Sequence, residues 1–239
     1  MRFLVLSDIH GSLEFLKDIA NEAHRSDGVV LAGDLTQKGK GNTLAMLAGG
    51  ICRPGLDIVG VIGNLDLPSS AKEMEALGIF NLEASGKLVR GIAFSGVGGS
   101  NPTPFLTPYE RGEEDIQEAL MNGAKKLRGA RPWVVVSHPP PFDSGLDQTF
   151  LGDKAGSKAL RNFLLEQAPD VCVCGHIHEA LGIHRLGSTL IVNPGPFQSG
   201  HYAILLYEAG QWHAELRNAA TSKKNGASQP LQDLDKSET

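Results

Sequence analysis

Five short apolar runs punctuate the chain, and each runs directly into a residue that can bind a metal or a proton. They are Arg2 to Ser7 (RFLVLS), Gly28 to Ala32 (GVVLA), Asp57 to Ile62 (DIVGVI), Pro132 to Ser137 (PWVVVS) and Val171 to Cys174 (VCVC). Each has the length and composition of a strand. Between the first three lie helical patterns. Leu13, Leu16, Ile19, Ala20 and Ala23 recur at helical spacing over Leu13 to Ala23, with Ser12 placed to cap them. A second helix is expected near Thr43 to Ala48, and a third over Ser69 to Leu77 with Ser69 or Ser70 as cap. The order βαβαβ implies a parallel sheet with right-handed crossovers.

Further on, Lys87 to Gly96 reads as two short strands, and Gly98 to Pro108 (GGSNPTPFLTP) as an irregular loop. Glu110 to Leu127 reads as a charged amphipathic helix, and Lys158 to Glu166 as another helix. Ile183 to Leu186 and Thr189 to Val192 form an expected hairpin, as do Tyr202 to Tyr207 and Gln211 to Arg217. From Ala219 the sequence turns polar, so the expected organisation is one domain over residues 1–218 and a disordered tail over 219–239.

Composition narrows the function. The chain has 239 residues, 41% of them hydrophobic and 21% charged, as in soluble globular proteins. A net charge of −5 offers no basic field for nucleic acid, so no nucleic-acid partner is expected. Cys52, Cys172 and Cys174 fit neither a zinc knuckle nor a redox motif and read as reduced, mostly buried thiols. No apolar segment reaches the length of a membrane span, and the N-terminal run is too short for a signal peptide. A cytoplasmic location without membrane contact is expected.

The chemistry gathers at the strand exits. The five runs lead into Asp8-Ile9-His10, Gly33-Asp34, Gly63-Asn64, His138 and Gly175-His176-Ile177-His178. Parallel strands place their carboxyl ends on one sheet edge, where open α/β sheets carry their sites. Two aspartates, an asparagine and four histidines then meet. These oxygen and nitrogen donors suit manganese, iron, nickel or zinc. Singly each has an ordinary explanation as a cap, turn or loop residue. Together they place a ligand-type side chain at every exit.

Asp8-x-His10, Gly33-Asp34, Gly63-Asn64, His138 and Gly175-His176-x-His178 resemble the five motif blocks of the calcineurin-like metallophosphoesterases. Asn193-Pro194-Gly195 is similar to the turn that follows the last block in small prokaryotic members. The resemblance implies a four-layer α/β/β/α sandwich, an α/β fold, with two divalent ions at its edge. It implies that Asp8, His10, Asp34 and His178 hold one ion, and Asp34, Asn64, His138 and His176 the other. Asp34 and a hydroxide would bridge the pair, with manganese the leading metal. Asn64 and His138 are also the candidate catalytic residues. The implied activity is hydrolysis of a small phosphoester.

The stretch Gly63-Asn64-Leu65-Asp66 departs from the family pattern. Many members carry histidine where Leu65 stands, as donor of a proton to the leaving oxygen. Asp66 then reads as a turn residue, and His201, which opens a strand after Asn193-Pro194-Gly195, is a candidate substitute. His24, His184 and His213 have no evident partner. The loops Ser100 to Tyr109 and Pro139 to Gly152 are expected to wall the substrate. Two rival readings are a non-catalytic interaction scaffold, which the complete ligand set opposes, and a nuclease, which the length and negative charge oppose.

Overall fold

The computed structural model describes residues 1–221. In Arg2–Leu6 (β1), Leu4 and Leu6 enter one apolar cluster with Val29, Leu31 and Ile58. Phe3 and Val5, on the opposite face, enter another with Val30, Val59, Phe94 and Val134. The strand is buried on both sides because helices cover one face and a second sheet the other. The same split runs through the neighbouring strands Gly28–Ala32 (β2) and Asp57–Val61 (β3).

The first sheet continues with Ile79–Asn81 (β4), His201–Glu208 (β11) and Gln211–Asn218 (β12), in the order β12-β11-β1-β2-β3-β4. The second is built from Gly86–Val89 (β5), Ile92–Val97 (β6), Trp133–Ser137 (β7), Val171–Val173 (β8), Gly182–Leu186 (β9) and Thr189–Asn193 (β10), in the order β5-β6-β7-β8-β10-β9. Leu16–His24 (α1), Thr43–Ile51 (α2) and Ser70–Ala76 (α3) cover the first sheet through Ile19, Leu44, Leu47, Ile51 and Met74. Glu113–Leu127 (α4) and Lys158–Gln167 (α5) cover the second through Ile116, Leu120, Leu160 and Phe163. This is the expected α/β/β/α sandwich. Between the sheets, Phe3 and Phe94 meet edge to face with ring centroids 5.2 Å apart. Deleting such a side chain typically costs about 3–5 kcal/mol.

Several expectations are corrected. The five strand exits do not belong to one sheet. β1, β2 and β3 lie in the first, and β7 and β8 in the second. α1 starts at Leu16, and no side chain caps it; Ser12 instead closes a turn, its amide donating to the Ile9 carbonyl at 2.9 Å. α4 starts at Glu113, because the backbone just before it is engaged elsewhere. Tyr109 N–H donates to Asn64 O at 3.0 Å, and Arg111 N–H to Ser100 O at 2.8 Å. Cys172 and Cys174 are buried, but Cys52 is exposed.

Ala219 packs into the core, its amide donating to Gly200 O at 2.9 Å. The rest of the expected tail, from residue 222, lies outside the described residues. Among the described residues no helix is long and apolar enough to cross a membrane.

The registers align the exits. β1 pairs with β2 through Leu6 and Leu31, and β2 with β3 through Ala32 and Val61. β7 pairs with β8 through Val136 and Val173. The two sets of carboxyl ends then face each other across the sandwich edge.

Candidate metal centre

Seven side chains predicted from the strand exits converge at this edge. Asp8 Oδ1 lies 3.8 Å from His10 Nε2 and 3.4 Å from His178 Nε2, and the two imidazole nitrogens are 3.0 Å apart. On the other side, His138 Nε2 lies 2.9 Å from Asn64 Oδ1 and its ring stacks edge to face on His176, with centroids 5.0 Å apart. Asp34 joins the halves. Its Oδ2 is 3.8 Å from His10 Nε2 and 3.4 Å from His138 Nε2.

These distances fit a cation. His138 Nδ1–H donates to the Ala32 carbonyl at 2.8 Å, which leaves Nε2 with a lone pair directed at the centre. In the neutral ring that lone pair faces another acceptor, Asn64 Oδ1, and in the protonated ring Nε2–H donates to it at 2.9 Å, so an ion and a proton compete for this position. Two such acceptor atoms, each about 2.1 Å from one ion and at right angles, stand about 3 Å apart. The His10–His178 nitrogen pair has the same spacing. Asp8 and Asp34 supply the charge, and both are buried. The groups Asp8–His10–His178 and Asp8–Asp34–His138 each bring their donor atoms close enough to share an ion.

The sequence builds this geometry by strain and by close approach. Asp8, His10, Asp34 and His176 all adopt left-handed backbone, with φ of 53°, 48°, 50° and 69°. Non-glycine residues seldom do so, and such outliers cluster at functional sites. A side chain at Gly63 would put its Cβ 2.1 Å from Asp34 Oδ1. One at Gly175 would lie 1.8 Å from Ser7 Oγ and 2.5 Å from Asp8 Oδ2. Only glycine fits before Asn64 and His176.

Supporting bonds fix the donors. Asp8 Oδ2 accepts from Ser7 Oγ at 2.7 Å and from the His176 amide at 3.1 Å. The Leu65 amide donates to Asp34 Oδ1 at 2.8 Å, which leaves Oδ2 to the centre. Asn64 Nδ2 donates to Thr107 Oγ1 at 3.0 Å, and Thr107 Oγ1 donates to Glu110 Oε1 at 2.8 Å. Since the Thr107 proton is committed to Glu110, its oxygen must accept, so the Asn64 carbonyl is the end turned to the centre. Burial pushes the Glu110 carboxyl up. Hydrogen bonds from Thr103 and Thr107 outweigh it and hold the group at about 2.

Asp66 closes a turn as expected, its amide donating to Gly63 O at 3.3 Å, but its carboxylate does more. It is fully buried and accepts from Leu35 N–H at 3.0 Å, Thr36 N–H and Oγ1 at 2.7 Å, and Gly63 N–H at 2.8 Å. It ties the segment after Asp34 to the segment that carries Asn64. Burial, then the negative charge of Asp34, push its carboxyl up. No local periodicity marks Asp66 or Thr107, because Leu35, Thr36 and Asn64 lie in other segments, nor Glu110, which bonds to Thr103 and Thr107 within its own irregular loop. His201 lies beside Gly195 and outside the seven-residue cluster. His24 ends α1 on the surface, and His184 and His213 lie on the edge strands β9 and β12.

The imidazoles divide by environment. Burial lowers His10 and lowers His176 to about 4, the latter helped by His138. Burial also works against charge on His138, but Asp34 and Asp8 prevail and raise it to about 9. Burial likewise opposes charge on His178, yet its bond to Asp8 raises it. Despite burial, His178 and His138 hold Asp8 well below the usual carboxylate range, and His138 does the same for Asp34.

A family model described as calcineurin-like phosphoesterase matches residues 1–180. An uncharacterized protein, MJ1162 of Methanocaldococcus jannaschii, is 36% identical over 210 residues, which is 82% of this chain and 88% of that one. Among solved structures, TT1561 of Thermus thermophilus superposes with a TM-score of 0.72 at 21% identity, covering 91% of this chain and 98% of that one. GAP50, the anchor in the inner membrane complex of Plasmodium, superposes with a TM-score of 0.62 at 13% identity, covering 92% and 84%. These two structures share the fold.

Proposed function

Because this chain belongs to the calcineurin-like phosphoesterases, a family of metal-dependent hydrolases, we propose that it hydrolyses small phosphodiesters at a pair of divalent ions, manganese first among them. Phosphomonoesters are the second substrate class. The observation that carries the reading is Asp34 Oδ2, which faces His10 on one side and His138 on the other. One ion is assigned to Asp8, His10, Asp34 and His178, the second to Asp34, Asn64, His138 and His176. When bound, such a pair supplies an acidified water near neutral pH and positive charge for the phosphoryl oxygens.

The residues of the chain set the conditions for that chemistry. Two ions carry about four positive charges against two carboxylates, so a neutral Asn64 preserves a surplus that draws the substrate phosphate in. Ser7, the Leu65 amide, Thr107 and Ala32 hold the donors in place. Leu65 offers no proton, so the leaving oxygen departs without help from that position. The rate on good leaving groups is then favoured, since a positioned acid typically contributes about 10²–10⁴-fold.

The test is hydrolysis of bis(p-nitrophenyl) phosphate by the purified chain, with metal content measured on the same sample. Stripping with a chelator is expected to abolish turnover, and Mn²⁺ to restore it. Ni²⁺, Zn²⁺, Mg²⁺ and buffer alone complete the panel. Two ions per chain in wild type and fewer in Asp34→Asn support the assignment. A chain that binds its ions but turns over no mono- or diester is a scaffold, and the proposal is then wrong.

A further inference from the structure

The four most exposed large apolar side chains of the described residues sit on two loops. Phe105 and Leu106 are 81% and 88% exposed, and Phe150 and Leu151 are 90% and 85% exposed. No other large apolar side chain among the described residues exceeds the 59% of Leu88. Contiguous exposed apolar surface of this kind usually marks a contact site. Phe105, Phe150 and Leu151 line one cavity of about 540 Å³, and Asn64 and His176 line it too. The cavity therefore opens onto the Asn64–His176 half of the candidate centre. Its size is that of a small-ligand site.

Both walls are tied to the ligand-bearing segments. The Phe105 loop is held to Asn64 through Thr107, and the Phe150 amide donates to Glu179 Oε1 at 2.5 Å, one residue beyond His178. Asn101 Nδ2 donates to Ala155 O at 3.1 Å and links the two walls. Charge limits what enters. Lys154 is the one lysine or arginine among the described lining residues, and it is paired with Asp143; Asp153 and Glu179 add negative charge. A second phosphate would find no free cation among these residues.

We infer that this cleft is a ring-binding subsite, with Phe105 and Phe150 as its contact residues. It takes the arm of a singly phosphorylated ester that carries a planar aromatic ring, such as a nucleobase, and excludes arms that bear further phosphate. The inference rests on the phosphoesterase reading above. Aromatic rings stack on planar bases with little dependence on base identity, so the subsite selects a ring and not a sequence. A membrane contact by the same tips is the competing use. The continuity of the cavity with Asn64 and His176, and the net charge of −5, favour the ring.

The test holds the leaving group constant. The p-nitrophenyl ester of thymidine 5′-phosphate is compared with methyl p-nitrophenyl phosphate on the full chain loaded with Mn²⁺. Wild type is expected to favour the thymidine arm in kcat/KM by about tenfold or more. The ratio is expected to fall towards one in Phe105→Ala/Phe150→Ala and to hold in Leu88→Ala. A wild-type ratio near one, or a ratio kept by the double variant, overturns the inference. So does vesicle sedimentation that depends on the two phenylalanines while the ratio is near one. If neither ester is hydrolysed, the diesterase part of the proposal fails, and the subsite is decided by ligand-observed NMR with adenosine on the full chain. Binding that weakens at least fivefold in the double variant sustains it, and no binding or equal binding overturns it.

Discussion

At the scale of single residues, the centre depends on side chains that never face it. Asp66 accepts four hydrogen bonds from the two segments that carry Asp34 and Asn64. Asp66→Asn turns one acceptor oxygen into a donor: at the Oδ2 position it meets the Leu35 and Gly63 N–H groups and two bonds are lost, and at the Oδ1 position the Thr36 N–H bond is lost while the Thr36 hydroxyl turns to accept. The expected cost is about 2–5 kcal/mol in urea unfolding, with weaker metal retention. A cost within error of zero would show that Asp66 is not the strut. Leu65 carries a separate expectation. It is half-buried, and its contribution to Asp34 comes from the backbone, so Leu65→His keeps the 2.8 Å amide bond. The wild type should show a steep dependence on leaving-group acidity across aryl and alkyl phosphodiesters. The variant should flatten it, at unchanged metal content, provided the imidazole reaches the leaving oxygen. Shallow dependence in the wild type would point to another acid. Asn64, His138 and the other five exit residues are legible in the sequence because each follows an apolar run directly. Asp66 reads as a turn former because its partners, Leu35 and Thr36, lie about thirty positions away and leave no local pattern.

At the scale of elements, the exits are shaped by what their glycines exclude. Gly175 follows β8 and lets Ser7 and Asp8 of the opposite sheet approach its Cα. Gly175→Ala would drive a methyl group against Ser7 Oγ and Asp8 Oδ2. A chain that still folds, destabilised by about 1–3 kcal/mol, with Asp8 displaced and metal content reduced, is the expected result. Circular dichroism melting and metal analysis on one preparation check both parts. Full metal content at wild-type stability would mean the contact relaxes freely. Strands and helices are legible where apolar runs or helical spacing persist, as in β2, whose bounds match the expected Gly28 to Ala32. β4 leaves no such signal, since Ile79–Asn81 is too short for a pattern to form. The expected starts of α1 and α4 fall early because apolar spacing continues into turns that tertiary bonds close, as with Tyr109 and Arg111.

At the scale of the whole molecule, the sheets meet at a shared ionic edge. Apolar runs show that β1, β2, β3, β7 and β8 are buried, but burial on both faces is equally met in one sheet between helices and in two stacked sheets. The split into two sheets follows from the family resemblance and not from the pattern. The shared edge gives metal binding a pH signature. Asp34 and Asp8 raise His138 to about 9, so the stripped protein holds a proton there at pH 7. A ligand imidazole must be neutral, so binding releases that proton. Mn²⁺ affinity is expected to rise by about tenfold per pH unit from 7 towards 9 and then level off. Titration calorimetry in buffers of different ionisation enthalpy reads the released proton directly. In the stripped protein the sign for stability is opposite. The raised His138 contributes fully below its ordinary 6.5, and that contribution is lost as the pH climbs through about 9. Affinity independent of pH would remove His138 from the donor set.

The strand order of the first sheet also has a consequence for synthesis. β1 pairs with β2 on one side, but on the other its partner is β11, with Arg2 opposite Leu206. A ribosome delivers β1 long before β11. Throughout elongation the nascent chain carries one flank of β1 without its partner, an open template for wrong pairing. His176 and His178 emerge late as well, after Asp8, His10, Asp34 and Asn64 have been waiting in solution. Acquisition of both ions therefore waits until His176 and His178 have emerged, and truncation before β11, which keeps all seven donors but leaves β1 unpaired on one flank, should give a product that aggregates.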